Sequence, residues 1–200
     1  MATAGDIAPL IQGLCVPDAA KRALAAAVLF EHGSRAIRAV TQGWLAHAPL
    51  ANLLERDPST GTLKLTVGVA VAPETFEHIR ARNGSPRLAQ VPPDQDAREF
   101  ELAFPGGARL DILTTRDPGG RGAIARYLAK FGEGIQQVEI DVTDLDRASE
   151  VLRSTFALQP IYPATHAGAN GTRVNFFLVP TEGGKVLIEL VEAPANPDRP

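Results

Sequence analysis

The stretch GEGIQQVEIDVTDLDRASEVL, residues 132–152, places a glycine turn, a strand and a helix in direct succession, and Thr143 is expected to cap the helix. Side chains alternate between the two faces of a strand, so Gln137, Glu139 and Asp141 share one face. The opposite face carries Gln136, Val138, Ile140 and Val142. This second face is suited to burial against helices, whereas the polar face looks either at water or into a site.

The same order of elements occurs twice between residues 62 and 192. Each half contains an alternating strand, a helix and then further strands separated by turns. The predicted strands lie at 62–71, 99–104 and 109–115 in the first half, and at 135–142, 173–179 and 185–191 in the second. Such an internal repeat is the main organising feature of the chain. We therefore predict an α+β fold in which two βαβββ repeats form a curled mixed sheet around a cup.

The first sixty residues have a different character, because they are rich in alanine and leucine and contain apolar residues at helical spacing. Gly33 is predicted to end one helix and Ser34 to cap the next. We expect three segments: a helical N-terminal extension over 1–60, the paired βαβββ domain over 61–192, and a mobile proline-rich tail over 193–200. The helices are expected to pack against the repeat domain or against a second copy of the chain.

Composition excludes several classes of partner. The net charge of −3 gives no general attraction to nucleic acid or acidic membranes. The longest purely apolar run, residues 23–30, is far shorter than the roughly 20 residues that a membrane helix needs. With Cys15 as the single cysteine, no internal disulfide forms. We expect a cytoplasmic protein that binds neither nucleic acid nor membranes.

Four polar residues interrupt the apolar strands at matching places in the two halves. They are Thr66 and Asp111 in the first half, and Gln137 and Glu189 in the second. Helices on one face of the sheet would bury the Val and Ile rows. The face that carries these four residues is therefore predicted to line the shared cup.

The sequence resembles the vicinal oxygen chelate superfamily, also called the glyoxalase fold, and within it methylmalonyl-CoA epimerases. The resemblance is carried by residues 108–152, ARLDILTTRDPGGRGAIARYLAKFGEGIQQVEIDVTDLDRASEVL, and by residues 171–192, GTRVNFFLVPTEGGKVLIELVE. It covers about residues 62 to 192. Because this scaffold hosts epimerases, lyases, dioxygenases and drug-binding proteins, the resemblance implies the fold more sharply than the activity. It is also the basis for expecting a homodimer.

In that family, four strand residues reach into the cup and hold a divalent metal, and the matching positions here are Thr66, Asp111, Gln137 and Glu189. The epimerases usually have histidine where this sequence has Thr66 and Gln137. Without these histidines, the side chains at the four positions offer only oxygen atoms as ligands, which favours Mg, Mn or Ca over Zn. An iron(II) dioxygenase requires two histidines and one carboxylate, so that activity is disfavoured.

Glu139 adds a carboxylate where the family usually has a small residue. Asp111, Glu139 and Glu189 cannot all stay ionised when they are close together, so they need a cation or a raised pKa. A carboxylate with a raised pKa is suited to removing a proton beside a carbonyl, and this makes Glu139 or Glu189 the candidate catalytic base. The alternative is that Glu139 points to solvent at the mouth of the cup.

Two weaker signals concern the rim of the cup. The loop DPGGRG, residues 117–122, opens a helix whose free N–H groups suit a phosphate, and Arg116, Arg121 and Arg126 are nearby; this would fit a coenzyme A tail. His166 lies in a loop that is able to reach the cup mouth.

Two functions remain open from the sequence. The first is an enzyme that acts on a small carbonyl or acyl-thioester substrate by proton abstraction and enolate stabilisation, as an isomerase, epimerase or lyase would. The second is a non-catalytic glyoxalase-fold protein that has lost the metal-ligand histidines and holds an organic ligand or a protein partner.

Overall fold

The computed structural model describes residues 4–194, with side chains from Ile7 onward, so most of the predicted mobile tail lies outside the described residues. The helices are α1 (Ala4–Gly13), α2 (Ala19–Ala46), α3 (Ala48–Ala51), α4 (Pro73–Arg82), α5 (Ala123–Phe131) and α6 (Leu145–Thr155). The strands are β1 (Leu65–Ala70), β2 (Arg98–Ala103), β3 (Arg109–Thr114), β4 (Gly134–Val142), β5 (His166–Ala167), β6 (Arg173–Thr181) and β7 (Gly184–Glu192). No helix in this part of the chain is long and apolar enough to cross a membrane.

The strands form one curled sheet in the order β2-β3-β1-β4-β7-β6-β5. The two halves join through the antiparallel pair β1–β4, and each central strand then pairs in parallel with the last strand of its own half, β1 with β3 and β4 with β7. This arrangement confirms the predicted α+β fold and gives the sheet an approximate twofold symmetry. The first half is one strand short, because residues 83–97 between α4 and β2 are irregular where the second half has β5.

Helices cover the convex face of the sheet. Residues of β1 and β3, such as Val67 and Ile112, pack in one cluster with α1, α2 and α4, and residues of β4 and β7, such as Val138 and Ile188, pack in another with α2 and α6. Trp44 of α2 is 1% exposed and packs edge-on against Phe156. The N-terminal helices therefore bury their apolar stripes against the repeat domain, and the concave face forms a cavity beside α5, which packs on Ala70 and Leu113.

The predicted break at Gly33 is wrong, since α2 runs unbroken for 28 residues. A Cβ atom at Gly33 would lie 2.6 Å from Cγ2 of Val67, so this glycine permits close packing of the helix on β1. Ser34, predicted as a cap, instead donates its hydroxyl hydrogen to the carbonyl of Phe30 at 2.7 Å, one turn back in the same helix.

Helix α6 begins at Leu145 with Asp144 as its N-cap, and the Asp144 carboxylate accepts a hydrogen bond from the Arg147 N–H at 2.9 Å. The cap expected at Thr143 is therefore one residue too early. Asp and Thr are both good N-caps, so the sequence predicts the helix correctly but assigns its cap to the wrong residue.

Candidate active site

A cavity of about 880 Å³ occupies the concave face of the sheet. All five residues singled out from the sequence line it, namely Thr66, Asp111, Gln137, Glu139 and Glu189. The polar face of β4 therefore looks into a site. Glu139 is partly buried in the floor of this cavity, so the alternative position in solvent at the mouth is not what the structure shows.

Strand register fixes how these residues meet. Thr66 pairs with Glu139, and Glu139 pairs with Glu189 on its other side. Two residues further along β1, Gly68 pairs with Asp111 on one side and with Gln137 on the other. The two halves are thus related residue by residue: Thr66 corresponds to Gln137, Gly68 to Glu139, and Asp111 to Glu189.

Gln137 forms the centre of the cluster and is 6% exposed. Its amide nitrogen donates hydrogen bonds to Glu139 Oε1, at 3.3 Å, and to Glu189 Oε2. An amide nitrogen has two hydrogens, so these contacts use both of its donors. The side chain has room because its neighbour is Gly68, where a Cβ atom would lie 2.5 Å from Cγ of Gln137.

The acidic residues that the strands place in the cup fall into two groups, apart from Asp94, Asp96 and Asp117 in the loops around it. At the rim, Glu101 binds Arg109 at 2.8 Å and Asp141 binds Lys64 at 3.0 Å. Deeper in the cavity, four acidic side chains have no salt bridge to any described residue, and we call them the carboxyl cluster: Glu99, Asp111, Glu139 and Glu189.

Burial raises the pKa of every member of the carboxyl cluster. It raises the pKa of Glu139 to about 8 and that of Glu99 to about 7. The pKa values of Asp111 and Glu189 also lie well above the ordinary range, first because of burial and then because of repulsion from neighbouring carboxylates. The cluster therefore holds protons near neutral pH, as the sequence predicted for carboxylates that lack a cation.

Two of the buried polar groups in the cup have no hydrogen-bond partner among the described residues. Asp111, 8% exposed, and the hydroxyl of Thr66, 3% exposed, both face the cavity. Buried polar groups are normally satisfied, so these two are available to a ligand.

The predicted metal ligands do not fit a metal ion as they lie. Within residues 7–194, no three His, Cys, Asp or Glu side chains converge closely enough to hold one. Moreover, Gln137 points a hydrogen-bond donor at Glu139 and Glu189, whereas a metal requires its oxygen acceptor at that place.

Two segments that line the cup, residues 89–95 and 167–170, are hydrogen-bonded to each other, and we call them the strap. Gln90, from the irregular segment of the first half, exchanges two hydrogen bonds with Asn170 of the second half: Gln90 N–H donates to Asn170 Oδ1 at 2.9 Å, and Asn170 N–H donates to the Gln90 carbonyl at 3.0 Å. Gln95 also donates to the Ala167 carbonyl at 2.8 Å. The strap takes the place of the missing strand and ties the two ends of the curled sheet together.

The remaining walls contain aromatic and basic side chains. Tyr162 packs edge-on against Phe176 with ring centroids 6.0 Å apart, and His166 lies 4.4 Å from Tyr162, so His166 does line the cup. Arg121 and Arg126, at the start of α5, line the cavity as well.

Sequence reasoning missed Glu99 and the position of Gln136. The alternation of residues 99–104 already places Glu99 and Glu101 on one strand face, so this pattern could have identified Glu99 as a residue of the cup. Gln136 was expected to share the face of Val138, but Val69 pairs with Ile135 while Gly68 pairs with Gln137, so Gln136 is the extra residue of a β-bulge. Its side-chain oxygen is buried without a partner.

The fold is similar to that of several solved methylmalonyl-CoA epimerases. The epimerase from Mycobacterium tuberculosis is 37% identical over 64% of this chain and 87% of its own, with a TM-score of 0.53. A methylmalonyl-CoA epimerase in complex with methylmalonyl-CoA and NH4+ is 26% identical over 72% of this chain and 96% of its own, with a TM-score of 0.54. A variant of the Streptomyces coelicolor epimerase in complex with 2-nitronate-propionyl-CoA is 26% identical over the same shares, with a TM-score of 0.55. No family model and no curated protein sequence matches the chain.

Proposed function

The chain belongs to the vicinal oxygen chelate superfamily, and from this premise we propose that it is an epimerase-like enzyme that removes and returns the proton beside the carbonyl of a small acyl thioester. The thioester is proposed to be that of coenzyme A. Two of the similar epimerase structures contain CoA thioesters or analogues of them, and Arg121 and Arg126 at the start of α5 are placed to contact a phosphate tail.

The observation that carries the proposal is the symmetric placement of Asp111 and Glu189. They stand on β3 and β7, the strands that flank the central β1–β4 pair, and both have a raised pKa. Inversion at a carbon requires one group to take a proton from one face and another to deliver a proton to the opposite face. An α-carbon held above β1 and β4 would have one of these carboxyls on each side.

Glu189 is the better candidate for the group that takes the proton first. Its carboxyl accepts a hydrogen bond from Gln137, which opposes the rise in pKa that burial causes, whereas Asp111 has no such donor and holds its proton more readily. Glu139 lies beside Glu189 and shares the same amide donor, so it is proposed to exchange a proton with Glu189 between turnovers.

The enolate that forms after proton removal needs hydrogen-bond donors at its oxygen. The free hydroxyl of Thr66 and a protonated carboxyl of the cluster are available for this task. A neutral carboxylic acid in an apolar pocket is an effective donor to such an oxygen. No step of this scheme passes through a metal ion, in agreement with the donor that Gln137 directs into the cluster.

The second candidate function is a binding protein that holds an organic ligand without turnover. It is favoured by Gln137, whose two donors are used inside the protein, and by the strap, which lines the cavity. Both functions predict that the cavity binds the ligand, but only the enzyme predicts exchange of the α-proton.

The discriminating experiment follows deuterium uptake. The protein is incubated in heavy water with 2-methylbutanoyl-CoA, and α-deuteration and C2 configuration are measured by mass spectrometry and chiral chromatography. We expect exchange, and a decrease of about 10²-fold or more in Glu189→Gln and Asp111→Asn. The control, Glu150→Gln on the exposed face of α6, should behave like the parent. Binding without exchange in the parent protein would support the binding protein instead.

A homodimer, expected from the sequence, remains part of the proposal. Analytical ultracentrifugation of the full chain tests it directly.

A further inference from the structure

The carboxyl cluster has a consequence for substrate charge, and it rests on the proposed function. We infer that the acyl group accepted by this cup carries a positive charge, such as a primary ammonium, rather than a carboxylate. The inference rests on the four unpaired acids of the cluster and on the unpartnered, buried Asp111 that faces the cavity.

The two cations at the rim are already engaged by other acids, since Arg109 binds Glu101, and Lys64 binds both Asp141 and Glu55. Arg121 and Arg126 also line the cavity, and the proposed function assigns them to the phosphate tail. None of these cations forms a salt bridge with the four deeper carboxyls. A substrate carboxylate would add a fifth acid to this group. It would have to take up a further proton or bear the repulsion between like charges in a poorly hydrated site.

Asp111 points to where a cation would bind. It is more than nine-tenths buried, lines the cavity and makes no hydrogen bond with the described residues. Glu99 stands on the neighbouring strand β2 and faces the same cavity. An ammonium group has three donors and no acceptor, so Asp111 and Glu99 together match its requirements.

The asymmetry between the two halves strengthens this conclusion. Gly68 and Glu139 occupy corresponding positions, so the second half has gained a carboxylate where the first has no side chain. Gln137 compensates Glu139 and Glu189 through its amide hydrogens, but nothing comparable compensates Asp111. On the opposite wall, the rings of Phe176 and Tyr162 offer faces on which a cation or an alkyl group packs well.

The test uses three CoA thioesters with acyl groups of nearly equal size. They are 3-amino-2-methylpropanoyl-CoA, 2-methylbutanoyl-CoA and methylmalonyl-CoA, which carry an ammonium, no charge and a carboxylate. Calorimetry at about pH 7 measures the affinity of each thioester. We expect the ammonium thioester to bind about tenfold or more tightly than the neutral one, and the neutral one about tenfold or more tightly than methylmalonyl-CoA.

Variants identify the residues responsible. Asp111→Asn should abolish most of the preference for the ammonium thioester over the neutral one. Glu99→Gln gives a second test if Asp111→Asn fails to fold, and Glu150→Gln is the control that should change nothing.

The inference is overturned if methylmalonyl-CoA binds as tightly as the ammonium thioester, or if the neutral thioester binds more tightly than the ammonium one. Its failure is distinct from failure of the proposed function. If α-proton exchange occurs without the charge preference, only the inference falls; if none of the three thioesters binds, the proposed function falls with it.

Discussion

Gly68 and Gln137 face each other across the β1–β4 pair so closely that a Cβ atom at Gly68 would lie 2.5 Å from Cγ of Gln137 and 3.2 Å from Cδ1 of Leu113. The absence of a side chain at one position thus allows the other to reach over the centre of the cup. From there its amide donates to Glu139 and Glu189. A glycine that looks unremarkable in an alternating strand therefore shapes the polar site.

The first prediction concerns Gly68→Ala. The added methyl group would displace Gln137, so we expect a loss of about 1–3 kcal/mol in the free energy of unfolding, measured by urea denaturation. We also expect slower α-proton exchange, because the hydrogen bonds of Gln137 to the two glutamates would be lost. Gly43→Ala is the matched control, since nothing lies within 4 Å of a Cβ there. Because Gly43 lies in helix α2, that change should stabilise by about 0.5–1 kcal/mol. Unchanged stability and exchange in Gly68→Ala would show that Gln137 does not depend on this space.

The second prediction concerns pH. Burial raises the pKa of Glu139 from 4.5 to about 8, so the folded protein binds more protons than the unfolded chain between these values. The free energy of unfolding should therefore fall as pH rises through this window, by at most about 1.4 kcal/mol per pH unit for each carboxyl involved, and level off above it.

Glu139→Gln tests the same effect, because the amide stays neutral at every pH. The variant should show a smaller slope between about pH 5 and 8 and should be more stable than the parent near pH 9. Urea denaturation across this range measures it. Glu150→Gln, on the exposed surface of α6, should keep the slope of the parent protein. A parent protein whose stability rises with pH over this range would contradict the assigned direction.

The location of the site could be predicted from the sequence, but its internal contacts could not. Alternation along each strand and the internal repeat were sufficient to bring Thr66, Asp111, Gln137 and Glu189 to one cavity. Whether Gln137 presents its oxygen or its nitrogen depends on strand pairing, since Glu139 and Glu189 become neighbours only in the β4–β7 register. A ligand set transferred from a family therefore predicts the place of these residues but not the hydrogen bonds between them.

Prediction of the fold from the sequence has the same limit at Gly33. In an isolated helix a glycine followed by serine is a reasonable point to break, because both residues have low intrinsic helix propensity. Burial of the long α2 against β1 overrides this preference, and the glycine is needed for the close approach to Val67. Propensity acts over a few residues, whereas the packing of an N-terminal helix on a strand more than thirty residues later is not visible in a local pattern.

The third prediction concerns metal binding. The structure places a donor at the centre of the cluster, so calorimetric titration with Mg²⁺, Mn²⁺, Co²⁺ and Zn²⁺ should show at most weak binding to the parent protein. Thr66→His combined with Gln137→His restores two imidazoles beside Glu189 and should produce binding of Zn²⁺ and Co²⁺. The single variant Thr66→His should gain much less. Tight binding of Mg²⁺ or Mn²⁺ by the parent would show that Gln137 turns its oxygen inward, as the oxygen-ligand prediction requires.

The fourth prediction concerns the strap. Asn170 has a φ of 54°, a conformation that Asn and Gly tolerate, and its side chain accepts from the Gln90 N–H. Asn170→Gly keeps the backbone conformation but removes the acceptor, whereas Asn170→Ala also strains the backbone. We expect the Gln90 amide to exchange with heavy water about 5- to 10-fold faster in Asn170→Gly, and faster again in Asn170→Ala. Amide hydrogen exchange measured by NMR reports this. Equal exchange in all three proteins would mean that the strap is held by other contacts.

The last prediction concerns how the N-terminal segment is held on the repeat domain. A Cβ atom at Gly33 would lie 2.6 and 2.8 Å from the two Cγ atoms of Val67, so Gly33→Ala should destabilise the protein by about 1–3 kcal/mol through overpacking. Val67→Ala alone should cost about 1–3 kcal/mol, because Val67 is fully buried and its removal leaves a cavity.

The double variant Gly33→Ala/Val67→Ala should be more stable than the sum of the single effects predicts, since the new methyl group occupies space that Val67 vacates. Urea denaturation of the four proteins gives the coupling energy, which we expect to be about 1–2 kcal/mol in favour of the pair. Gly43→Ala combined with Val67→Ala is the control and should be additive, because Gly43 has no neighbour within 4 Å. Additive effects of Gly33 and Val67 would mean that α2 does not pack on β1 in solution and that the N-terminal segment is an independent appendage.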